Sequence, residues 1–244
     1  IEFYDQLDFS VMHFATMGTR AIINIDSMLY SSICGTLESI KIILEKGRIG
    51  DAFCLLRKYY DSCILNLYTN IYLEDAKKDN LSPVKEILQW MDGEETLPHK
   101  DFRSMLPYLQ KSGRSKEILD LIFIDETYRQ TRQRCNDHTH YNYFDTILIN
   151  DNKMHLRNRI IRLDDFLKDF ENIFILHTAS LFYINNHYMM SSDYIDALEL
   201  GFKPEDESQY WIAPFIQSHF TNYIDKKRPD LSALIKNDTE MQLE

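Results

Sequence analysis

Two long apolar stripes at helical spacing, joined by a short glycine turn, constrain the fold of this chain most. In the first, Ile22, Ile25, Met28, Leu29, Ile33, Leu37, Ile40, Ile43 and Leu44 recur at threes and fours. In the second, Phe53, Leu56, Tyr60, Ile64, Leu67 and Ile71 form one face. The spacing predicts helices over residues 18–46 and 49–78. Gly47 stops the first and Asp51 sits in the first turn of the second. Two such helices joined across Gly47–Gly50 make an antiparallel hairpin, the start of a bundle.

Composition supports the same class. In 244 residues there are only seven Gly and six Pro, against 15 Tyr and 14 Phe. Tight turns are therefore few, which argues against a sandwich or barrel of many short strands and for an all-α fold. Residues 79–114 differ in texture, because Pro83, Pro98, Pro107, Gly93 and Gly113 cut them into short helices. They read as a helical insertion or lid, with Ser82-Pro83 and Glu86 resembling a capped helix start. A third helix is expected from Ser115 through the run that ends at His140. A loop at 149–153 and a fourth long helix over 157–188 follow. Shorter helices are expected at 192–200, with Gly201 as the stop, at 207–225, and after Pro229. Residues 240–244 read as a frayed tail or a strand-like edge. The chain thus divides into a bundle over 1–190, holding the insertion, and a C-terminal helical extension over 191–244 packed on it.

Cys34, Cys54, Cys63 and Cys135 form no CxxC pair, and the first three lie in apolar helical stretches. That predicts buried free thiols, a reducing compartment and a cytoplasmic protein. No run approaches the roughly 18 uninterrupted apolar residues of a membrane span, and no signal peptide is visible. The chain starts at Ile1 rather than at a methionine, which leaves room for a removed N-terminal portion and a targeting segment within it.

A net charge of −11 argues against a generally basic surface that coats nucleic acid. The distribution is more telling. Between Arg129 and Arg162 there are seven Lys/Arg against three acids, a net +4, which leaves −15 for the rest. Such a window suits a phosphate-facing cleft or, equally, two solvated helix faces that happen to be basic.

Within it, at 100° per residue, Arg132, Asn136 and His140 share one helix face, as do Ile118, Leu121, Ile122 and Tyr128. An inward apolar stripe that turns to Arg/Asn/His needs partners, since burying such groups unpaired costs several kcal/mol. Asp125, or Arg57 and Asp61 on the second helix, are the candidates. Arg57 and Asp61 also read as a simple i,i+4 ion pair. Arg134 and His138 form a second i,i+4 pair on the opposite side.

Arg134-Cys-Asn136-Asp137-His138-Thr-His140, an arginine with five residues before a histidine near the end of a bundle helix, resembles the signature of HEPN-type domains. Arg132 to His138 has the same spacing. The resemblance spans residues 18–190, and only the short motif is distinctive. It implies metal-independent RNA cleavage at a homodimer interface, without a cofactor, in phage defence or toxin–antitoxin biology with an antitoxin as partner. In that reading His140 moves the proton of a ribose 2′-hydroxyl, Arg134 holds the phosphate, and Asn136 orients one of them. Arg134 and His140 lie about 240° apart on a regular helix. The helix must therefore end near Thr139, or a second subunit must complete the site. Arg132, His138 and Asp137, with Arg57 and Asp61, are alternative or supporting members.

A different class of function fits the same residues: a non-catalytic helical scaffold that binds a partner protein, with Arg132, Asn136 and His140 tying helices together. His138, His140 and Asp137 are a poor metal set, with no repeated Glu-x-x-His pair behind them, so no metal is expected. His13, His99, His155, His177, His187 and His219 are dispersed, and His177, on an apolar face, reads as a core histidine. There is no glycine-rich phosphate loop and no Ser/His/Asp elbow.

Overall fold

A computed structural model of the chain describes residues 1–11, 20–79, 81–151, 153 and 158–244. His13, Gly18, His155 and Arg157 lie outside them. The described residues form twelve helices and no strand, an all-α bundle. The helices are α1 (Glu2–Ser10), α2 (Ile25–Glu45), α3 (Ile49–Asp79), α4 (Ser82–Met91), α5 (Phe102–Lys111) and α6 (Lys116–Ile122). Then come α7 (Thr127–Thr139), α8 (Phe144–Leu148), α9 (Arg159–Ile184), α10 (Asp193–Glu199), α11 (Pro214–His219) and α12 (Pro229–Asp238).

The α2–α3 hairpin closes as the glycine turn requires. Gly47 takes a left-handed φ of +74°; its N–H donates to the Leu44 carbonyl at 2.8 Å and that of Arg48 to Ile43 at 3.1 Å. This is the paired closure that glycine permits without steric cost. Gly50 serves a different need. A Cβ there would meet the Asn150 Cβ and the Thr146 carbonyl at 3.3 Å, so its absence lets the start of α3 close on α8.

α3 is the axle of the bundle, packing on α2, α4, α5, α7 and α9. Phe53, Leu56, Tyr59, Tyr60, Cys63, Ile64, Leu67, Tyr68 and Ile71 are all buried, along one broad side of the helix. That side faces the core while Arg57, Lys58 and Asp61 lie on the other, and each such Leu, Ile or Phe contributes about 1.5–3 kcal/mol of burial. The second half of α9 is buried on all sides from Ile173 to Phe182.

Four expectations need correction. The helix expected from Ser115 to His140 is two helices, broken at Phe123–Glu126, where Asp125 accepts from the Thr127 N–H at 2.8 Å. The helix start at Ser82 uses Leu81 as its N-cap position with no side-chain cap; Ser82 instead donates to Glu86 at 3.0 Å. The capping box of the insertion is at Asp101, with Ser104, opening α5. The helix expected over 207–225 starts only at Pro214, whose missing N–H suits a first turn, and widens to a π-helical turn at Phe220–Asp225. Before it, Ile212 pairs with Met190 in an isolated bridge. The C-terminal residues are held, since the Gln242 N–H donates to the Tyr210 carbonyl at 2.9 Å and that of Glu244 to the Gln217 side chain at 3.2 Å.

α1 carries no strong sequence signal, yet it contributes to the core. The Tyr4 hydroxyl bonds His177 Nδ1 at 2.7 Å and Tyr59 at 2.8 Å, and His177 Nε2 bonds Asn66 Oδ1 at 2.9 Å. The Asn66 amide nitrogen donates to Asp26 at 2.7 Å, which makes its Oδ1 the acceptor. His177 therefore carries its proton on Nε2, and Tyr4 donates to its Nδ1. The core-histidine reading fits this packing.

Burial alone pushes His177 and His219 down to about 3, and burial, with help from Arg162, pushes His138 down to about 4. Unfolded histidines titrate near 6.5. Below that the unfolded chain binds protons the folded chain refuses, so stability present at pH 7 is lost as pH falls from about 6.5 toward 4. Asp26, its carboxyl raised by burial, opposes this in part. At pH 5 each histidine is expected to have withdrawn up to about 2 kcal/mol. Melting curves from pH 7.5 to 5 check this: Tm should fall steeply, and a flat profile would contradict it.

Candidate functional site

α7 presents two polar edges on either side of a buried face. Tyr128, Thr131, Cys135 and His138 point inward, so the break at Phe123–Glu126 shifts the buried stripe away from Arg132, Asn136 and His140. The expectation that these three continue the inward stripe is thereby corrected. Arg132 and Asn136 instead face α3 across a crossed pair of contacts. Asn136 Oδ1 accepts from Arg57, and Asp61 accepts from Arg132 while standing 3.7 Å from Arg57 Nε. Arg57 and Asp61 thus form the i,i+4 pair and also brace α7. The Arg132 guanidinium lies 3.6 Å from the centroid of the Phe102 ring on α5. Asp125 takes no part, being used at the start of α7.

Arg134 lies on the other edge. Its Nε and Nη2 reach Asp169 Oδ2 and Oδ1 at 2.7 and 2.5 Å, and Thr131 donates to the same carboxylate at 2.7 Å. Asp169 is fully buried on α9, whereas a third of the Arg134 side chain reaches water. His138 is buried and stacked on Phe53, with ring centroids 4.3 Å apart and planes parallel, and its Nδ1 has no hydrogen-bond partner among the described residues. It faces the core rather than Arg132.

α7 ends at Thr139, and His140 follows as the C-cap with an exposed side chain. Tyr141 takes a left-handed φ of +51°, a conformation that costs a residue with a Cβ about 1–2 kcal/mol. The turn is fixed by the Asn142 N–H on the Asp137 carbonyl at 3.0 Å and the Asn142 side chain on Asp137 Oδ1 at 2.7 Å. Asp137 is therefore the residue that ends the helix. The structure brings Arg57, Asp61, Arg132 and Asn136 together and leaves Arg134, His138 and His140 pointing three separate ways.

One edge of α7 borders a cleft of about 640 Å³ between α3, α5 and α7. Arg57, Lys58, Lys100, Arg103 and Arg132 line it against only Asp61 and Asp101. Lys58, Lys100 and Arg103 are exposed and make no ion pair among the described residues. Leu65, Trp90, Leu97, Phe102 and Met105 supply apolar lining, and Thr139, the residue before His140, closes the α7 end. A second cleft, of about 350 Å³, is lined by Asp26, Asn70, Glu74, Arg114 and Tyr188, but its polar groups satisfy one another. Asp26 accepts from Asn66, Asn70 and Tyr188, and Arg114 holds Glu74 and the Ile184 carbonyl. The first cleft has unspent charge; the second does not.

The cationic lining from the insertion was not legible beforehand. Lys100 and Arg103 flank a capping aspartate, a weak signal, and Lys58 lies one residue past Arg57 with no pattern to mark it. Conversely, Arg159 belongs to the basic window but is spent on the carbonyls of Gly47 and, at 2.8 Å, Asp151. No group of three His, Cys, Asp or Glu side chains among the described residues is placed to hold a metal ion. No helix among them is long and apolar enough to cross a membrane. The chain matches no family model, no curated protein and no solved structure.

Proposed function

We propose that this protein is a metal-independent ribonuclease of the HEPN type, in which the cleft gathers the RNA backbone and His140 transfers the proton. The observation that carries the reading is the excess of cations in a cleft whose α7 end adjoins His140, within a chain of net charge −11. Phosphate contacts by Lys and Arg supply most non-specific nucleic-acid affinity. A histidine at that end can take the 2′-hydroxyl proton, so that the alkoxide attacks phosphorus, the 5′-oxygen leaves taking a proton from water, and a 2′,3′-cyclic phosphate remains. Asn136, by holding Arg57, and Asp61, by holding Arg132, fix the two arginines that face the phosphate.

A homodimer belongs to this reading. Tyr141, Tyr143, Phe144 and Ile147 directly follow His140 and are 57, 63, 70 and 48% exposed. Apolar exposure of this kind suits a partner surface, and a second copy there would bring another α7 beside His140. The four free cysteines suit a cytoplasmic setting, and phage defence or a toxin held by an antitoxin is the proposed biology.

The scaffold reading is favoured by one observation: Arg134, Arg132 and Arg57 each already have an acidic or amide partner. Incubation of the purified protein with a mixed-sequence RNA in excess chelator separates the two. The nuclease yields fragments ending in cyclic phosphate. RNA left intact over a range of salt, with the protein folded and dimeric by light scattering, supports the scaffold.

A further inference from the structure

The cleft has a composition that a bare phosphate sink does not need. Its lining carries Lys58, Lys100 and Arg103 in the open, whereas Trp90, Leu97 and Phe102 give it an apolar wall. The insertion supplies all of that wall and two of the three unpaired cations. α5 is fixed for this purpose at its N-terminus by the Asp101–Ser104 capping box and along its length by packing on α3. Arg132 over Phe102 already shows that ring accepting a planar cation on its face. A cleft of about 640 Å³ falls within the roughly 300–1,000 Å³ typical of sites that enclose a small ligand. A rigid duplex keeps its bases stacked inside and offers such a cleft only backbone. An unpaired nucleotide offers an aromatic base and a phosphate together.

We infer that the insertion builds a subsite for one or two unpaired nucleotides, a base against Trp90 and its neighbouring phosphates on Lys58, Lys100 and Arg103. The inference rests on the ribonuclease reading for its choice of RNA, but it concerns binding and selection rather than cleavage. Trp90 is a specificity-determining residue in this account; it does not touch the reacting atoms. The subsite makes the protein select single-stranded over double-stranded RNA.

The test uses the full chain with His140→Ala, so that bound RNA is not consumed, and Trp211→Phe, which leaves Trp90 as the only tryptophan. A fluorescein-labelled single-stranded octamer is titrated alone and annealed to its complement. The single strand should bind at least tenfold tighter than the duplex and quench Trp90 emission. Trp90→Ala should weaken the single strand by about 5- to 100-fold, the usual effect of removing one stacking ring, while Trp90→Phe should restore most of it. Lys100→Ala with Arg103→Ala, both at exposed positions, should flatten the salt dependence of binding by about two phosphate contacts. Equal affinity for single strand and duplex overturns the inference, as does a folded Trp90→Ala protein that binds like its parent. Selective binding without cleavage by the unaltered protein would sink the ribonuclease reading and keep the subsite. Cleavage with no selectivity for unpaired RNA would do the reverse.

Discussion

Arg134→Ala is expected to destabilise the folded chain by about 3–5 kcal/mol, the effect of stranding a buried carboxylate. Asp169 has no exposure, and Arg134 satisfies both of its oxygens. Thr131 alone would remain as a donor. Because a third of the Arg134 side chain meets water, the lower end of that range is the better figure, and for a chain of this size it corresponds to roughly 10 °C in Tm. Asp169→Leu in the same background should recover much of the loss, since it removes the stranded ion and leaves only the neutral Thr131 hydroxyl to find another acceptor. A thermal melt of the four proteins of this cycle decides it. If Arg134→Ala melts like the parent and has lost only RNA cleavage, Arg134 is free to serve chemistry and the ion pair is incidental.

That outcome bears on the choice between the two overlapping Arg–His spacings. Spacing alone fits both pairs, and the sequence narrowly favours Arg134 with His140 over Arg132 with His138. Geometry separates them by what each group already holds. His138 is buried against Phe53 and held neutral, so it is poorly placed to exchange protons with solvent-borne RNA. Arg134 serves the α7–α9 contact. What remains is His140, exposed as the C-cap of α7 and next in sequence to Thr139, which lines the cleft with Arg132 and Arg57. In the proposed nuclease, His140 therefore keeps the proton-transfer role, and Arg57 and Arg132, rather than Arg134, face the phosphate.

The legible part of the fold was the part governed by period. The stripes of α2, α3 and α9 are long, and Gly47 and Gly201 sit at left-handed positions where glycine ends a helix. The α6–α7 break escaped because Phe123-Ile-Asp-Glu holds no Gly or Pro; only the Asp125 turn marks it. A break of that kind resets the helical phase, and every face assigned downstream of it goes wrong. A single unbroken helix therefore points Arg132 and Asn136 inward, whereas the broken one turns them toward α3. Their partners on α3 were legible, because Arg57 and Asp61 lie a turn apart on a helix whose apolar face was already known. The cleft was not, since its far wall is built by residues 40 to 50 positions away through short helices whose packing no local pattern encodes.

The most direct test of the central claim compares the unaltered protein with His140→Ala on RNA in excess chelator, each over the same range of protein concentration. Loss of a proton-transfer group typically reduces turnover by about 10²–10⁴-fold. His140 is exposed at a helix end, so its replacement should leave Tm within about 1 °C of the parent. Cleavage by the parent, a loss of that size in the variant and unchanged melting are the predicted result. Equal cleavage by both, or none by either, would contradict it.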